Sequence, residues 1–280
     1  MSCKPLPANL TDLQVNAVNE LIDLVAHRQR ADFGNITSDI KADGTLITNC
    51  DRWSDATIVQ KLSAIAEHEG VLSEEGCQKV PDSSAYWIVD PLDGTTNFSA
   101  GIPYWAISIA RFVNGEPQTA FLEVPALNKR ILAIKGQGVW LNGKQLSKQS
   151  RLTSKSACVS LCSRSIRILQ RRPDKPFPGK IRLLGVSSLN MVGVAIGQTI
   201  AALEATPKIW DLASAWLILS ELECPIRWLD LDPSKLKAGQ DLTSVSFPVL
   251  TASSPNELES FSPWGEVLLS SWLNIQDKII

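Results

Sequence analysis

Residues Tyr86 to Phe98 read YWIVDPLDGTTNF, and no other stretch limits the possible folds as much. Its first half is apolar enough to be a buried strand, yet it ends in Asp90 and Asp93. Charge at the end of a core strand costs stability unless something compensates it. Gly94, Thr95 and Thr96 follow at once and can open a helix whose free N–H groups point at an anion. Two hard oxygen donors beside an anion-binding turn suit Mg²⁺, which favours carboxylates plus substrate phosphate over a dedicated protein cage. The competing interpretation is an Asx-turn that only caps a helix, since Asp and Gly are ordinary turn residues. The apolar flanks argue against it, because a plain cap does not need two acids there.

A metal site needs more acids that converge. SEEG supplies Glu74 and Glu75 just before the strand, and IWDLASAWLI supplies Asp211 at the start of an apolar helix. Residue type alone leaves each of these open: the pair of glutamates also suits a solvated turn, and an Asp in a first helical turn is favoured by the dipole. Histidine chemistry is short of material. His27 and His68 are the only two histidines, both expected at the surface, and neither has a nucleophile elbow to serve. Zinc lacks ligands for the same reason. Covalent aspartyl chemistry of the haloacid dehalogenase type uses Asp-x-Asp, with both acids on one strand face. The three-residue spacing here, broken by Pro91, instead requires a turn that folds the pair around a common centre, so direct attack by water ranks ahead.

The surrounding pattern places these residues. A helix is expected from about Thr11 to Arg30, with Leu21, Ile22 and Val25 on its apolar face, and a second from near Asp51. Between them lies a polar loop with Lys41, Asp43 and Gly44. From Tyr86 to Gly143 strand-like runs separated by Asn-Gly and Gly-Glu-Pro turn signals predict an antiparallel meander. Segment 147–180 is polar and basic and reads as a passage between halves, 1–150 and 151–280. Beyond it, strand-like and helix-like segments alternate, which predicts α/β layering.

With 280 residues, 44% of them hydrophobic, the chain can fill a sizeable core. Its 27 basic against 29 acidic residues give no electrostatic footprint for nucleic acid or an anionic membrane. No segment approaches the roughly 20 apolar residues of a membrane span. Six scattered cysteines and the lack of an apolar N-terminal signal lead us to expect reduced thiols and a cytoplasmic location. Cys158 and Cys162 read as strand filling, not as a metal pair.

Taken together, DPLDGTTNF (90–98), SEEG (73–76), TNCD (48–51) and WDLASAWLI (210–218) resemble the inositol monophosphatase family of Mg²⁺-dependent, lithium-sensitive sugar-phosphate phosphatases. The resemblance extends to GQGVWLNGKQLS (136–147), GVSSLNMVGVAIG (185–197) and TASSPNELE (251–259), covering nearly the whole chain. It implies a layered αβαβα sandwich with a large antiparallel-rich sheet and a second mixed sheet, two or three Mg²⁺ ions, and a homodimer. It also implies that Glu74, Asp90, Asp93, Asp211 and the Leu92 carbonyl hold the metals and that Thr95, oriented by Asp51, activates the attacking water. Phosphate contacts fall on the amides of Gly94 and Thr95, and polyol contacts on Gly185, Val186, Ser187 and Glu204. Asp51 also suits a helix N-cap, the lesser alternative.

The resemblance makes myo-inositol 1-phosphate the expected substrate, with histidinol phosphate and fructose 1,6-bisphosphate as alternatives within the superfamily. GTTNF is unlike the branch that acts on 3′-phosphoadenosine 5′-phosphate. A non-catalytic role beside the RNA transcription machinery is a further alternative. Two features depart from the family pattern: SELECPI follows the Trp-Asp helix where Glu-Ala-Gly-Gly is common, and five basic residues lie between Arg164 and Lys175. These suit a solvated face, a second substrate phosphate or a partner subunit. Lys41 and Asp43 occupy a loop that can serve as a lid.

Overall fold

A computed structural model describes residues 9–35, 37–41, 44–147, 157–166, 168–169 and 175–276. Asp43 and, in the basic segment from Arg164 to Lys175, Arg167, Arg171 and Arg172 lie outside these residues. The predicted first helix is α1 (Asp12–Asp32), opened by a capping box in which the Thr11 side chain accepts from Gln14 N and Gln14 reaches back to Thr11 N. The strands β1 (Ser38–Ile40) and β2 (Leu46–Thr48) pair antiparallel on either side of the expected loop, with Lys41 and Gly44 between them. Then comes α2 (Asn49–Ile65).

The meander is a seven-stranded sheet of β3 (Gly70–Ser73), β4 (Ala85–Asp93), β5 (Ala106–Val113), β6 (Glu116–Val124), β7 (Lys129–Ile134), β8 (Gly138–Leu141) and β9 (Lys144–Leu146), paired in that order. All neighbours are antiparallel except β3 and β4, which run parallel. A five-stranded mixed sheet follows the order β11 (Lys180–Arg182), β10 (Cys158–Leu161), β12 (Ala201–Glu204), β14 (Val249–Ala252), β13 (Ile226–Trp228).

Strand periodicity explains the layering. In β4 and β5, Trp87, Val89, Ile107 and Ile109 face α1 and α2 and meet Leu21, Ile22, Val25, Ile58 and Leu62. Tyr86, Ile88, Ala110 and Phe112 face the other way, toward α4 (Ser187–Ala195) and α5 (Ile209–Glu221), which fill the space between the two sheets. The outer face of the second sheet is covered by α6 (Pro255–Gln276), through Leu258, Phe261, Trp264 and Leu268. These five layers are the expected αβαβα sandwich. The sequence pattern did not announce α6 or β13. Among the described residues no helix is long and apolar enough to cross a membrane.

Two polar ties fix elements that carry acids. Ser108 on β5 and Ser214 on α5 share a 2.8 Å hydrogen bond, and the Ser214 hydroxyl reaches the Phe121 carbonyl at 3.2 Å. This pins the helix whose first turn carries Asp211 to the strand beside Asp90. Arg111 donates from Nε and from its terminal nitrogen to the Glu69 carboxylate at 2.6–3.0 Å, and the side chains are only 2% and 5% exposed. The pair holds the entry to β3, whose far end carries Glu74. Breaking a buried pair strands one charge, so Arg111→Met is expected to lower the unfolding free energy by about 3–5 kcal/mol, read as a fall in the denaturant midpoint. A change within about 0.5 kcal/mol, as at ordinary surface positions, would show that the pair does not anchor this edge.

Candidate active site

Strand β4 is buried along its whole length, so its last residues have fixed positions. One residue lies between Ser108 and Ala106 on β5, but two lie between their partners Asp90 and Asp93. The extra residue is a β-bulge, not the turn expected from Pro91, and it explains the motif's odd spacing. In a regular strand residues three apart face opposite sides; one inserted residue returns Asp93 to the face of Asp90. Pro91 fits because a bulge leaves a residue outside the ladder. Gly94 then turns the chain at φ 102°, where a side chain would put its Cβ 2.8 Å from Val186 Cγ2. The five-residue helix α3 (Thr95–Ser99) starts directly after it.

Asp211 occupies the first turn of α5, held by the Lys208 amide, which donates to its Oδ2 at 2.7 Å. The Ser188 amide at the start of α4 donates to Asp93 Oδ2 at 2.8 Å, and the Leu92 amide donates to Asp90 Oδ1 at 2.9 Å. These contacts gather Asp90, Asp93 and Asp211 so that one oxygen from each lies within 4.8 Å of the others. They line a cavity of about 170 Å³ together with Glu74, Leu92, Gly94, Thr95 and Gly185. Thr45, Leu46 and Thr96 complete the lining; of these the sequence singled out only Thr96, in the turn expected to face an anion, and offered no signal for Thr45 or Leu46.

Asp51 lies behind this cavity. It is not the N-cap: Thr48 caps α2, and Asp51 is the third helical residue of a capping box. Its Oδ2 accepts from the Thr48 amide at 2.8 Å and from the Thr48 hydroxyl, while Oδ1 accepts from the Thr95 hydroxyl at 2.8 Å. One carboxylate therefore serves the helix with one oxygen and the site with the other. The Thr95 hydroxyl also lies 3.2 Å from the Leu92 carbonyl.

The expected polyol contacts divide. Gly185 lines the cavity, at φ 75° and with a built Cβ only 3.2 Å from Asn97 Oδ1. The Val186 side chain is fully buried and packs against Gly94. Glu204 is 1% exposed and lies beneath the site, accepting from the Ser187 hydroxyl at 3.0 Å and from Asn190 Nδ2 at 2.8 Å. It supports Ser187 and does not line the cavity, because those two donors draw it under the start of α4.

The electrostatics are those of anions pressed together. Burial pushes Asp90 well above its ordinary range, and the charges of Glu74, Asp93 and Asp211 push the same way. Asp211 is raised by burial and then by Asp93 and Glu74. Asp93 rises to about 6 through burial, against the donors at Ser188. Asp90 Oδ2 is buried with no hydrogen-bond partner. Near the rim, Lys41 Nζ lies 2.9 Å from Glu74 and 2.5 Å from Glu75. An all-oxygen donor set with mutually repelling carboxylates and an orphaned buried oxygen fits a hard divalent cation.

Comparisons with known proteins show what the chain as a whole resembles. A model of the inositol monophosphatase family matches residues 7–245. The chain is 29% identical over 210 residues to the fructose-1,6-bisphosphatase/inositol-1-monophosphatase of Thermotoga maritima, covering 72% of this chain and 79% of that protein. It is 32% identical over 216 residues to the histidinol-phosphatase of Mycobacterium tuberculosis, covering 72% and 82%. Among solved structures, an IMPase/NADP phosphatase complexed with Mg²⁺ and phosphate aligns with a TM-score of 0.71 at 24% identity, over 88% of this chain and 92% of that one.

Burial raises Glu204 to about 8, with Asn190 and Ser187 opposing it. The folded chain then keeps a proton that the unfolded chain releases near pH 4.5. This contribution to stability is present below that pH and is lost as pH rises toward 8, with a slope of up to about 1.4 kcal/mol per pH unit. Glu204→Gln is expected to remove that share of the slope, measured as unfolding free energy at pH 5.5 and pH 8.5. Parallel pH profiles for the two proteins would contradict the assignment.

Proposed function

The chain belongs to the inositol monophosphatase family, and from that premise we propose that it is a divalent-metal-dependent phosphate monoester hydrolase acting on a polyol phosphate, myo-inositol 1-phosphate first among the candidates. The observation that carries this reading is the convergence of Asp90, Asp93 and Asp211 beside the N-terminus of the helix that follows Gly94. Glu74, those three aspartates and the Leu92 carbonyl would hold two or three Mg²⁺ ions. When bound, the ions polarise phosphoryl oxygens, lower the pKa of water and offset charge on the leaving oxygen.

The chain's own groups do the rest. The amides of Gly94 and Thr95 stand where a helix has no internal acceptors and can receive phosphate oxygens. The Thr95 hydroxyl gives its single hydrogen to Asp51, which leaves its lone pairs free to accept a proton from an incoming water. Asp51 is held by Thr48 and keeps that hydroxyl aimed. Gly185 lines the cavity, and a polyol would lie past the phosphate, toward Gly185 and the start of α4 at Ser187. Lys41 Nζ is held at Glu74 Oε1, so a cation at Glu74 would compete with that ammonium for the carboxylate.

The activities named for the relatives include inositol phosphate, fructose bisphosphate and histidinol phosphate hydrolysis. The GTTNF sequence at 94–98 sets the chain apart from the 3′-phosphoadenosine 5′-phosphate branch; among the other three esters the choice of inositol phosphate rests on the family resemblance alone. Phosphate release from a panel of these esters at fixed Mg²⁺ is expected to be highest with myo-inositol 1-phosphate, to vanish with a chelator and to fall with lithium. Asp93→Asn should lower kcat/KM by more than about a hundredfold. Thr95→Ala should lower kcat by about a hundredfold or more with Mg²⁺ binding retained. Release from none of the esters would point to the non-catalytic alternative.

A further inference from the structure

Gln29, in the C-terminal part of α1, is 0% exposed, where an amide is costly unless its groups are paired. It is paired at both ends. Nε2 donates to the Pro91 carbonyl at 2.8 Å and to Ser54 Oγ at 3.3 Å. Oε1 accepts from the Trp105 indole N–H at 2.9 Å. Trp105 is fixed in turn, stacked at 4.7 Å on Phe33 and edge-on at 5.0 Å to Phe98. These partners lie 62 and 76 residues from Gln29 in the chain.

The Pro91 carbonyl belongs to the peptide unit whose N–H is that of Leu92, and this N–H donates to Asp90 Oδ1 at 2.9 Å. The same peptide is therefore gripped at both ends, by Gln29 on its oxygen and by Asp90 on its hydrogen. Accepting a bond at the carbonyl polarises the peptide and strengthens its N–H as a donor. Asp90 is held through Oδ1, which leaves Oδ2, buried and without a partner, for a cation.

We infer that Gln29 is a positioning residue for the metal-binding strand end: through the Pro91–Leu92 peptide it sets the rotation of the Asp90 carboxylate and the direction of the Leu92 carbonyl. The inference rests on the reading of Asp90 and Leu92 as metal ligands. An apolar residue of the same size would fill the space but would orphan the Pro91 carbonyl and the Trp105 indole N–H. The peptide would then be free to turn, and the bulge would lose its support from behind.

The test titrates Mg²⁺ into the full chain by calorimetry, without substrate, for the parent, Gln29→Met and Trp105→Phe, with thermal melts alongside. Gln29→Met keeps the volume and removes the amide; it is expected to bind Mg²⁺ at least about tenfold more weakly. Trp105→Phe keeps the ring stack and removes only the donor to Oε1; a smaller loss in the same direction is expected. A Gln29→Met chain with a lower melting temperature and the parent's Mg²⁺ affinity would show that Gln29 only fills the core, and overturns the inference. If Gln29→Met does not fold, Trp105→Phe decides, and parental affinity in it overturns the inference equally. A parent that binds no Mg²⁺ removes the metal-site reading itself, and that outcome is visible before any variant is compared.

Discussion

Three aspartates brought within 4.8 Å of one another at the edge of a core repel, and the rest of the structure is arranged around that repulsion. Burial removes the water that would screen them, so each is driven toward its neutral form. Such a cluster persists only because rigid neighbours fix it. β4 is buried from Ala85 to Asp93, α5 is pinned to the sheet through Ser108 and Ser214, and backbone amides of Leu92, Ser188 and Lys208 each hold one carboxylate oxygen. The free oxygens left over suit a hard cation, which would turn the repulsion into ligation.

The bulge at Pro91 links the strand to the chemistry. Without the extra residue, Asp90 and Asp93 would lie on opposite faces of the sheet, one toward α1 and α2 and the other toward α5. With it, both face Asp211. Gly94 then reverses the chain so that Thr95 returns toward Asp51, whose other oxygen is engaged in capping α2. Asp90, Leu92, Asp93, the Thr95 hydroxyl and the Gly94 and Thr95 amides, to which the proposed function gives its central roles, thus come from a few consecutive residues, aimed by contacts from α1, α2 and α4. Lys41 neutralises Glu74 and Glu75 at the rim; burial works against its ammonium, yet the two carboxylates keep it charged, above its usual range.

Much of this was legible because the chemistry sits in contiguous motifs. Asp90 and Asp93 stand out as acids at the end of an apolar run, Glu74 and Asp211 only through the family motifs that contain them, and strand-like runs between turn signals announce the meander. What the sequence hides is contact across distance and local geometry. The bulge is invisible because a proline after an acid also fits a turn. Asp51 looks like a cap, and only the structure shows Thr48 taking that place. Glu204 is an acid in an apolar strand whose role depends on Asn190 and Ser187 lying above it. Gln29 reads as one more polar residue on a helix; its partners at Pro91 and Trp105 come together only when the layers stack. The helix from Pro255 escaped because Pro263 interrupts its pattern.

The central claim is that these carboxylates gather to hold divalent cations. Anomalous diffraction from crystals soaked in Mn²⁺ tests it most directly. The account predicts at least two anomalous peaks in the cavity, bonded to Asp90, Asp93, Asp211, Glu74 and the Leu92 carbonyl at about 2.0–2.2 Å, in the range of small oxygen-ligated divalent ions, with Lys41 displaced from Glu74. Crystals with no anomalous density there, and with Lys41 still bonded to both glutamates at saturating Mn²⁺, would contradict it.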